Sequence, residues 1–288
     1  MAEPIAIRKA LPDFVGIGAL KAGTSYLDTL LRGHPEILLP THMKETEYFS
    51  RHYDRGPGWY LSQYGSDPAA CRGEISPQYL FDSRCAQRIY LANASAKIFL
   101  SVRNPVDRVI SQYRYWKQET GYSEDLESFL AEHPGALTRS CYYKLLEPWL
   151  RTFPIGSIHV IVFDDLITEP SVVNERLLNF LGVDTTYRPP GLARPANVSG
   201  TPRFRRVYAL SKTMSRSLYA HRGARVVEVA KSTGVARILR GSPHSPETSS
   251  DSVDDAVRRK MRGLFLPDVD QLSSLVGRDL VQLWDLED

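Results

Sequence analysis

A short turn near the start of the chain carries the residue types of a phosphate-binding loop. Gly18 and Gly23 lie on either side of Lys21, and Thr24 and Ser25 follow directly. Glycine permits backbone angles and close approaches that a side chain blocks. A helix that starts at such a turn presents free N–H groups to an anion, and Thr24 or Ser25 could cap it. The pattern therefore predicts phosphate binding at this loop.

The lysine of this loop lies at a different position from the lysine of nucleoside triphosphatases. Their pattern, G-x-x-x-x-G-K-[ST], places a lysine directly after the second glycine. Here Thr24 follows Gly23, and Lys21 lies inside the loop. The cation is thus displaced toward whatever is attached to the phosphate. Glycine-containing turns between a strand and a helix are also common in α/β proteins that bind no phosphate, so the loop alone leaves that alternative open.

A second set of anion-binding residue types follows later in the chain. Arg103 comes directly after the apolar run 97–102, and Ser111 lies further along the predicted helix. A guanidinium at a strand end can hold an anion through two parallel hydrogen bonds. Asn104 can cap the helix and Pro105 suits its first turn. Such residues often serve only as caps and ion pairs, but two anion sites in this order are harder to explain in that way.

A cluster of charged residues at 41–49 supplies candidates for a general base. Glu45 and Glu47 lie beside a lysine, and His42 precedes them. Charged clusters are usually solvated surface. This one, however, lies on the connection after the first strand–helix unit, and open α/β sheets build their ligand crevices from such connections.

Apolar patterning predicts the elements that position these side chains. Short apolar runs typical of buried parallel strands occur at 14–17, 97–102 and 157–163. Helical spacing follows each of them, at 26–31, 106–113 and 170–181, with Gly182 ending the last helix. We therefore predict an α/β fold in which residues 1–288 form a single domain, with a central parallel sheet flanked by helices and a P-loop-like phosphate-binding turn.

Composition limits the class of protein. The chain has 288 residues, of which 42% are hydrophobic and 24% charged, an ordinary globular balance. The net charge of +3 is too small to indicate a nucleic-acid partner. The three cysteines lack metal-ligand spacing and suit free thiols in a reducing compartment. The start of the chain has no apolar signal-peptide core and no run has the length of a transmembrane segment, so we expect a cytoplasmic protein.

Together these motifs resemble those of sulfotransferases that use 3′-phosphoadenosine 5′-phosphosulfate (PAPS). The first loop is similar to the family's 5′-phosphosulfate loop, and 103–113 matches its 3′-phosphate segment, Arg-x-Pro-x-x-Arg-x-x-Ser-x-Tyr. Residues 44–49 resemble the Lys-Glu-x-x-x-Phe segment of heparan sulfate glucosamine sulfotransferases and their bacterial relatives. The resemblance extends from about Phe14 to Trp284 and leaves 203–250 unmatched.

The resemblance implies a role for each motif. Lys21 contacts the oxygen that bridges phosphate and sulfate, and Glu45 is the general base, with Glu47 and His42 in reserve. The implied PAPS-binding residues are Lys21, Ala22, Gly23, Thr24, Ser25, Arg103, Ser111, Gly200 and Arg203. Adenosine 3′,5′-bisphosphate is the expected product. No metal is expected, because lysine and arginine supply the cations.

Residues 72–80 resemble the family's Glu-Lys-[Ser/Thr]-Pro-x-Tyr element but have Ile75 where many relatives have lysine. This departure favours a hydroxyl or amine of a small molecule, glycoside or carrier-bound metabolite as the acceptor, over a long anionic polysaccharide. Glu74 is either a second carboxylate of the cleft or a buried acid paired with an arginine. Trp59 and Tyr60 either pack or line the acceptor cleft, with packing favoured because large aromatic residues mostly serve burial.

Residues 203–240 are basic, with Glu228 as their one acid, and have apolar residues at helical spacing. We interpret 203–240 as an amphipathic surface helix, with a basic helical flap or insertion over the acceptor at about 203–250, or a membrane-surface segment, as alternatives. Two other functions stay open: a P-loop small-molecule kinase, which the displaced lysine disfavours, and a non-catalytic nucleotide-binding module. The sequence does not indicate an oligomeric state.

Overall fold

The computed structural model of the chain describes residues 12–65, 71–189, 192 and 253–287. These residues fall within one compact unit. The basic segment 203–250 lies outside them, as do the two proposed nucleotide contacts Gly200 and Arg203.

A parallel sheet forms the centre of the fold, as predicted. Within the described ranges it has five strands: β1 (Phe14–Gly18), β2 (Ile37–Leu38), β3 (Cys71–Ile75), β4 (Lys97–Val102) and β5 (Ile158–Val162). Their order is β2-β3-β1-β4-β5, and each neighbouring pair is parallel. The sequence predicted β1, β4 and β5 but not β2 and β3.

Helices connect and flank these strands. They are α1 (Thr24–Arg32), α2 (Gly56–Leu61), α3 (Arg84–Ala92), α4 (Pro105–Thr120), α5 (Leu126–Glu132), α6 (Gly135–Thr138), α7 (Tyr142–Thr152), α8 (Phe163–Thr168), α9 (Pro170–Leu181), α10 (Asp255–Val276) and α11 (Leu280–Leu283). The bounds predicted for α9 are confirmed, and Gly182 ends it with a φ of +77°. Across the described residues, no helix combines the length and the apolar character that a membrane span requires.

Alternating side chains of the central strands bury both faces of the sheet. Val15 and Ile17 pack in a large apolar cluster with residues of α4, α7 and α10. Phe14 and Phe99 point to the other face and pack with residues of α1 and α9. Because successive strand residues alternate between faces, the sheet lies between two helical layers, as in other α/β folds.

The strand order brings the two predicted anion-binding turns together. β1 and β4 are parallel neighbours in the middle of the sheet, and their carboxyl ends therefore lie side by side. The backbone N–H of Ala19, directly after β1, donates to the carbonyl of Ser101 in β4 at 2.8 Å. In open α/β sheets this edge is where ligands bind.

Candidate active site

The shape of the loop after β1 depends on two residues with left-handed backbone angles. Lys21 has a φ of +70° and Gly23 a φ of +86°. This region is open to glycine and disfavoured for lysine. A Cβ atom at Gly23 would also lie 2.9 Å from Cδ2 of Leu166 and 3.0 Å from the ring of Phe163. Glycine is thus required at position 23 for its backbone angle and for its small size.

The start of α1 fits an anion. Gly23, and not Thr24 or Ser25 as the sequence predicted, is the N-cap residue, and no side chain caps the helix there. Thr24 and Ser25 lie in the first turn instead. The cause is the left-handed Gly23, which lets the helix begin one residue early. The first N–H groups of α1 are therefore left for an external acceptor, and phosphate oxygens are suited to that role.

Lys21 brings a positive charge to this edge of the sheet. Its Nζ lies 4.2 Å from the ring centroid of Tyr115 on α4, a cation–π contact. Burial lowers the pKa of the Lys21 ammonium, and the positive charges of Arg103 and Arg108 lower it further, while Glu119 opposes them. An anion bound between Lys21 and Arg103 would relieve this repulsion.

The turn after β4 is organised by side chains. The side chain of Asn104 caps α4 by accepting hydrogen bonds from the backbone N–H groups of Val106 at 2.9 Å and Asp107 at 3.4 Å, which confirms the predicted cap. The guanidinium of Arg103 lies over the ring of Phe163, 5.0 Å from its centroid, and 3.7 Å from the carboxylate of Asp107. Ser111 follows Asp107 by one helical turn and is partly buried.

Phe163 connects the two turns. It is the first residue of α8, its ring lies beneath Arg103, and the same ring limits the space at Gly23. The structure therefore brings Lys21, Gly23 and Arg103 into one region, as the sequence predicted.

The surroundings of Arg108 indicate a structural role for its side chain. Its side chain is fully buried. Its guanidinium donates to Ser140 Oγ at 2.5 Å, Gln112 Oε1 at 2.9 Å and the carbonyl of Ala136 at 2.5 Å. Arg108 is the second arginine of the 3′-phosphate motif that residues 103–113 match. The structure instead uses it to tie α4 to α6 and the turn that follows.

Glu45 lies beside the first turn of α1. Lys44, its neighbour in the chain, donates from Nζ to Ser25 Oγ at 2.7 Å, and the same Nζ is 3.8 Å from Glu45 Oε1. Burial raises the pKa of the Glu45 carboxyl; Lys44 opposes that shift, and Glu47 and Asp28 add to it. A partly buried carboxylate with a raised pKa is suited to accept a proton.

A family model described as "Sulfotransferase domain" matches residues 11–196, more than half of the chain. The chain belongs to the sulfotransferase domain family. The resemblance seen in the sequence motifs is thereby confirmed.

Among the relatives of this sulfotransferase-family chain is the mouse (Mus musculus) heparan sulfate glucosamine 3-O-sulfotransferase 3B1, 30% identical over 191 residues, which cover 61% of this chain and 47% of the relative. The human (Homo sapiens) heparan sulfate glucosamine 3-O-sulfotransferase 5 is 29% identical over 288 residues, 94% of this chain and 73% of the relative. The chain thus spans about half the length of the mouse relative. A solved sulfotransferase from Alicyclobacillus acidocaldarius has the same fold, with a TM-score of 0.67 at 24% identity, over 96% of this chain and 99% of that one.

Glu74 and Ile75 of the 72–80 element are both buried in this sulfotransferase domain. Glu74 is fully buried and accepts hydrogen bonds from the hydroxyls of Thr46, Ser76 and Tyr79. It is a buried acid, but these hydrogen-bond partners are hydroxyls and not the arginine that the sequence analysis considered. Burial raises the pKa of the Glu74 carboxyl, and these hydrogen bonds oppose the shift. Ile75 packs in the apolar cluster beneath α1, so its side chain does not face a cleft.

The remaining candidates differ in environment. Glu47 Oε2 lies 3.0 Å from Arg51 Nε, and His42 is exposed. Tyr60 is fully buried and stacks on Tyr48 with ring centroids 4.8 Å apart, which fits the packing role. Among the residues with described positions, no group of three or more histidine, cysteine and acidic side chains could hold a metal ion.

The sequence analysis assigned no role to Lys44 or Phe163. Lys44 had one local signal, its position next to Glu45. Phe163 had none, because its contacts with Arg103 and Gly23 join positions far apart in the chain.

Proposed function

We propose that this protein transfers the sulfuryl group of PAPS to a hydroxyl or amine of an acceptor. The supporting observation is the convergence at the sheet edge of the uncapped start of α1, Lys21 and Arg103, with Glu45 beside the same helix. Two positively charged turns fit a nucleotide that carries an anion at each end. Membership of the sulfotransferase family supports the same conclusion.

PAPS supplies the sulfuryl group and leaves as adenosine 3′,5′-bisphosphate. The N–H groups at the start of α1, with Thr24 and Ser25, hold its 5′-phosphate. Arg103 and Ser111 hold the 3′-phosphate, which distinguishes this donor from ATP. Lys21 stabilises the negative charge that grows on the leaving oxygen. Preorganised charge of this kind is commonly the largest contribution to catalysis.

Glu45 accepts the proton of the acceptor. Because burial raises its pKa, the acidic limb of the rate profile should lie at higher pH than the value of about 4.3 for an ordinary glutamate. Glu45→Gln should keep donor affinity and lose about 10²–10⁴-fold in kcat, the contribution expected of a positioned base. Transfer at the wild-type rate by Glu45→Gln would exclude this assignment, and Glu47→Gln is the matched control.

We propose as acceptor a small molecule, a glycoside or a carrier-bound metabolite. The relatives are named for a glucosamine of heparan sulfate, and a carbohydrate hydroxyl agrees with that chemistry. Ile75 is buried, so the absence of a lysine at this position is weak evidence against an anionic carbohydrate as the acceptor. A screen of hydroxylated and amino compounds with PAPS, detected by the mass gain of one SO₃ group, identifies the class.

Calorimetry tests the donor. We expect adenosine 3′,5′-bisphosphate to bind without magnesium, and ATP to bind far more weakly. Tight, magnesium-dependent ATP binding would instead support the kinase alternative. If the protein binds the bisphosphate but turns over no labelled PAPS with any acceptor of the screen, it is a non-catalytic nucleotide-binding module.

A further inference from the structure

One ammonium group touches both halves of the candidate site. Lys44 Nζ donates to Ser25 Oγ at 2.7 Å and lies 3.8 Å from Glu45 Oε1. Ser25 belongs to the first turn of α1, where the 5′-phosphate is proposed to bind, and Glu45 is the proposed base. The segment 41–49 therefore supplies a base together with a cation that reaches the donor-binding helix.

The other acids near Glu45 have cations of their own. Asp28, on α1, accepts from Arg32 through both carboxylate oxygens, at 2.8 and 3.1 Å. Glu47 lies 3.0 Å from Arg51. Lys44 is the cation whose charge acts on Glu45, and it opposes the effects of burial and of the two neighbouring acids. A change in the position of Lys44 therefore changes the electrostatic environment of the Glu45 carboxylate directly.

We propose that Lys44 is a positioning residue that holds the 5′-phosphate end of the donor and, by turning toward it, releases Glu45 to accept the proton of the acceptor. This inference rests on the proposed function. An anion at the start of α1 lies next to Ser25, the present partner of Lys44. An ammonium has three donors on a flexible stem, and the Lys44 side chain is 37% exposed, so it can exchange a neutral hydroxyl for an anion. Glu45 then becomes a stronger base when the donor is bound.

The binding test uses two nucleotides that differ by one phosphate. Adenosine 3′,5′-bisphosphate carries the 5′-phosphate, and adenosine 3′-monophosphate lacks it. By calorimetry, Lys44→Met should bind the bisphosphate about tenfold more weakly than wild type, because a charge-assisted hydrogen bond is lost. Its affinity for the monophosphate should be unchanged. Lys44→Arg should recover most of the affinity. Unchanged affinity of Lys44→Met for the bisphosphate would overturn the inference.

Lys97→Met is the matched control. Lys97 begins β4, at the opposite edge of the sheet from the candidate site, and its replacement removes the same charge. We expect wild-type affinity for both nucleotides. An equal loss of affinity in Lys97→Met would show that net charge, and not the position of Lys44, sets the affinity.

The proton test measures the coupling to Glu45. Binding of the bisphosphate is followed by calorimetry in two buffers of different ionisation heat, at the pH where Glu45 titrates. Wild type should take up more protons than Glu45→Gln, because Glu45 loses its cation when the donor binds. Lys44→Met should also take up more protons than the double variant Lys44→Met with Glu45→Gln. This difference in proton uptake should be smaller than the difference between wild type and Glu45→Gln. A difference that is equal or larger in the Lys44→Met background would overturn the coupling.

The failure of this inference can be told from the failure of the proposed function. If wild type binds the bisphosphate and transfers sulfate while Lys44→Met matches it in both tests, the inference alone is wrong. If wild type binds neither nucleotide and transfers nothing, both fail.

Discussion

The two turns that are proposed to bind the phosphates of the donor are built in opposite ways. At the start of α1, Gly23 has no side chain and leaves the first N–H groups of the helix uncapped. At the start of α4, Asn104 occupies the N–H groups of Val106 and Asp107, and the available cation is the side chain of Arg103. One turn therefore offers backbone donors to an anion, and the other offers a guanidinium.

This difference teaches which substitutions each turn tolerates. A turn that binds an anion through backbone N–H groups should lose affinity when its main chain cannot adopt the required angles, whatever the charge of the side chains. A turn that binds through one guanidinium should lose affinity when that side chain is replaced, even though its backbone keeps the same conformation. Under the proposed function, adenosine 5′-monophosphate and adenosine 3′-monophosphate should each engage one turn, so their affinities should report on the two turns separately.

The largest effect should come from Lys21→Gly. Glycine adopts the φ of +70° found at this position without strain, so the variant removes the ammonium and keeps the loop. We expect kcat to fall about 10²–10³-fold, as for the loss of one preorganised donor. The affinity for adenosine 3′-monophosphate should stay near the wild-type value. Measurement of kcat with labelled PAPS decides this, and a wild-type kcat would remove Lys21 from the mechanism.

Gly23→Ala should damage the backbone-built turn next. Alanine would have to adopt the left-handed φ of this position, and its Cβ would lie within 3.0 Å of Leu166 and Phe163. We expect unfolding free energy to fall by ~1–3 kcal/mol and affinity for adenosine 5′-monophosphate to fall more than affinity for the 3′-monophosphate. Denaturant titration and calorimetry measure the two effects.

The control for Gly23→Ala is Gly263→Ala. Gly263 lies in α10, and a Cβ there would meet no atom within 4 Å. Alanine in a helix is worth about 0.5–1 kcal/mol relative to glycine, so this variant should be slightly more stable than wild type and bind nucleotides normally. Equal behaviour of the two variants would mean that the special geometry of Gly23 is not required.

The strongest sequence predictions concerned features with local causes. Asn104 and Pro105 mark the start of α4, and Gly182 marks the end of α9, because caps depend on adjacent residues. The pairing of the two turns followed from one rule, that parallel strands present their carboxyl ends at one edge. These parts of the fold and site were predictable from sequence alone.

Apart from the N-cap of α1, the failures concerned features with distant causes. β3 contains Arg72, Gly73 and Glu74, which break the apolar pattern of a buried strand. The fold accepts them because the ring of Phe14 packs over Gly73 and three hydroxyls hold Glu74. Of these partners, Phe14 and Thr46 lie far from β3 in the chain. The contact between Lys44 and Ser25 likewise exists only after the strands have assembled.

Arg103→Met tests the side-chain-built turn. The loss of the guanidinium should weaken both the 3′,5′-bisphosphate and the 3′-monophosphate about tenfold or more. The 5′-monophosphate should bind as in wild type. Arg103→Lys should recover only part of the affinity, because an ammonium cannot form two parallel hydrogen bonds with a phosphate. A loss that is equal for the 3′- and 5′-monophosphates would contradict the separation of the two turns.

The smallest effect should come from Asn104→Ala. The variant removes the cap of α4 and the hydrogen bond that Asn104 Nδ2 donates to the Trp284 carbonyl at 3.0 Å. We expect a loss of ~1 kcal/mol in unfolding free energy, measured by denaturant titration. Asn104→Ser is the control, because a serine hydroxyl can still accept from the helix N–H groups.

The loss of the cap in Asn104→Ala also frees the N–H groups of Val106 and Asp107, so the affinity for the 3′-monophosphate should fall little. If Asn104→Ala weakened the 3′-monophosphate as much as Arg103→Met does, the cap and not the guanidinium would be the essential part of this turn.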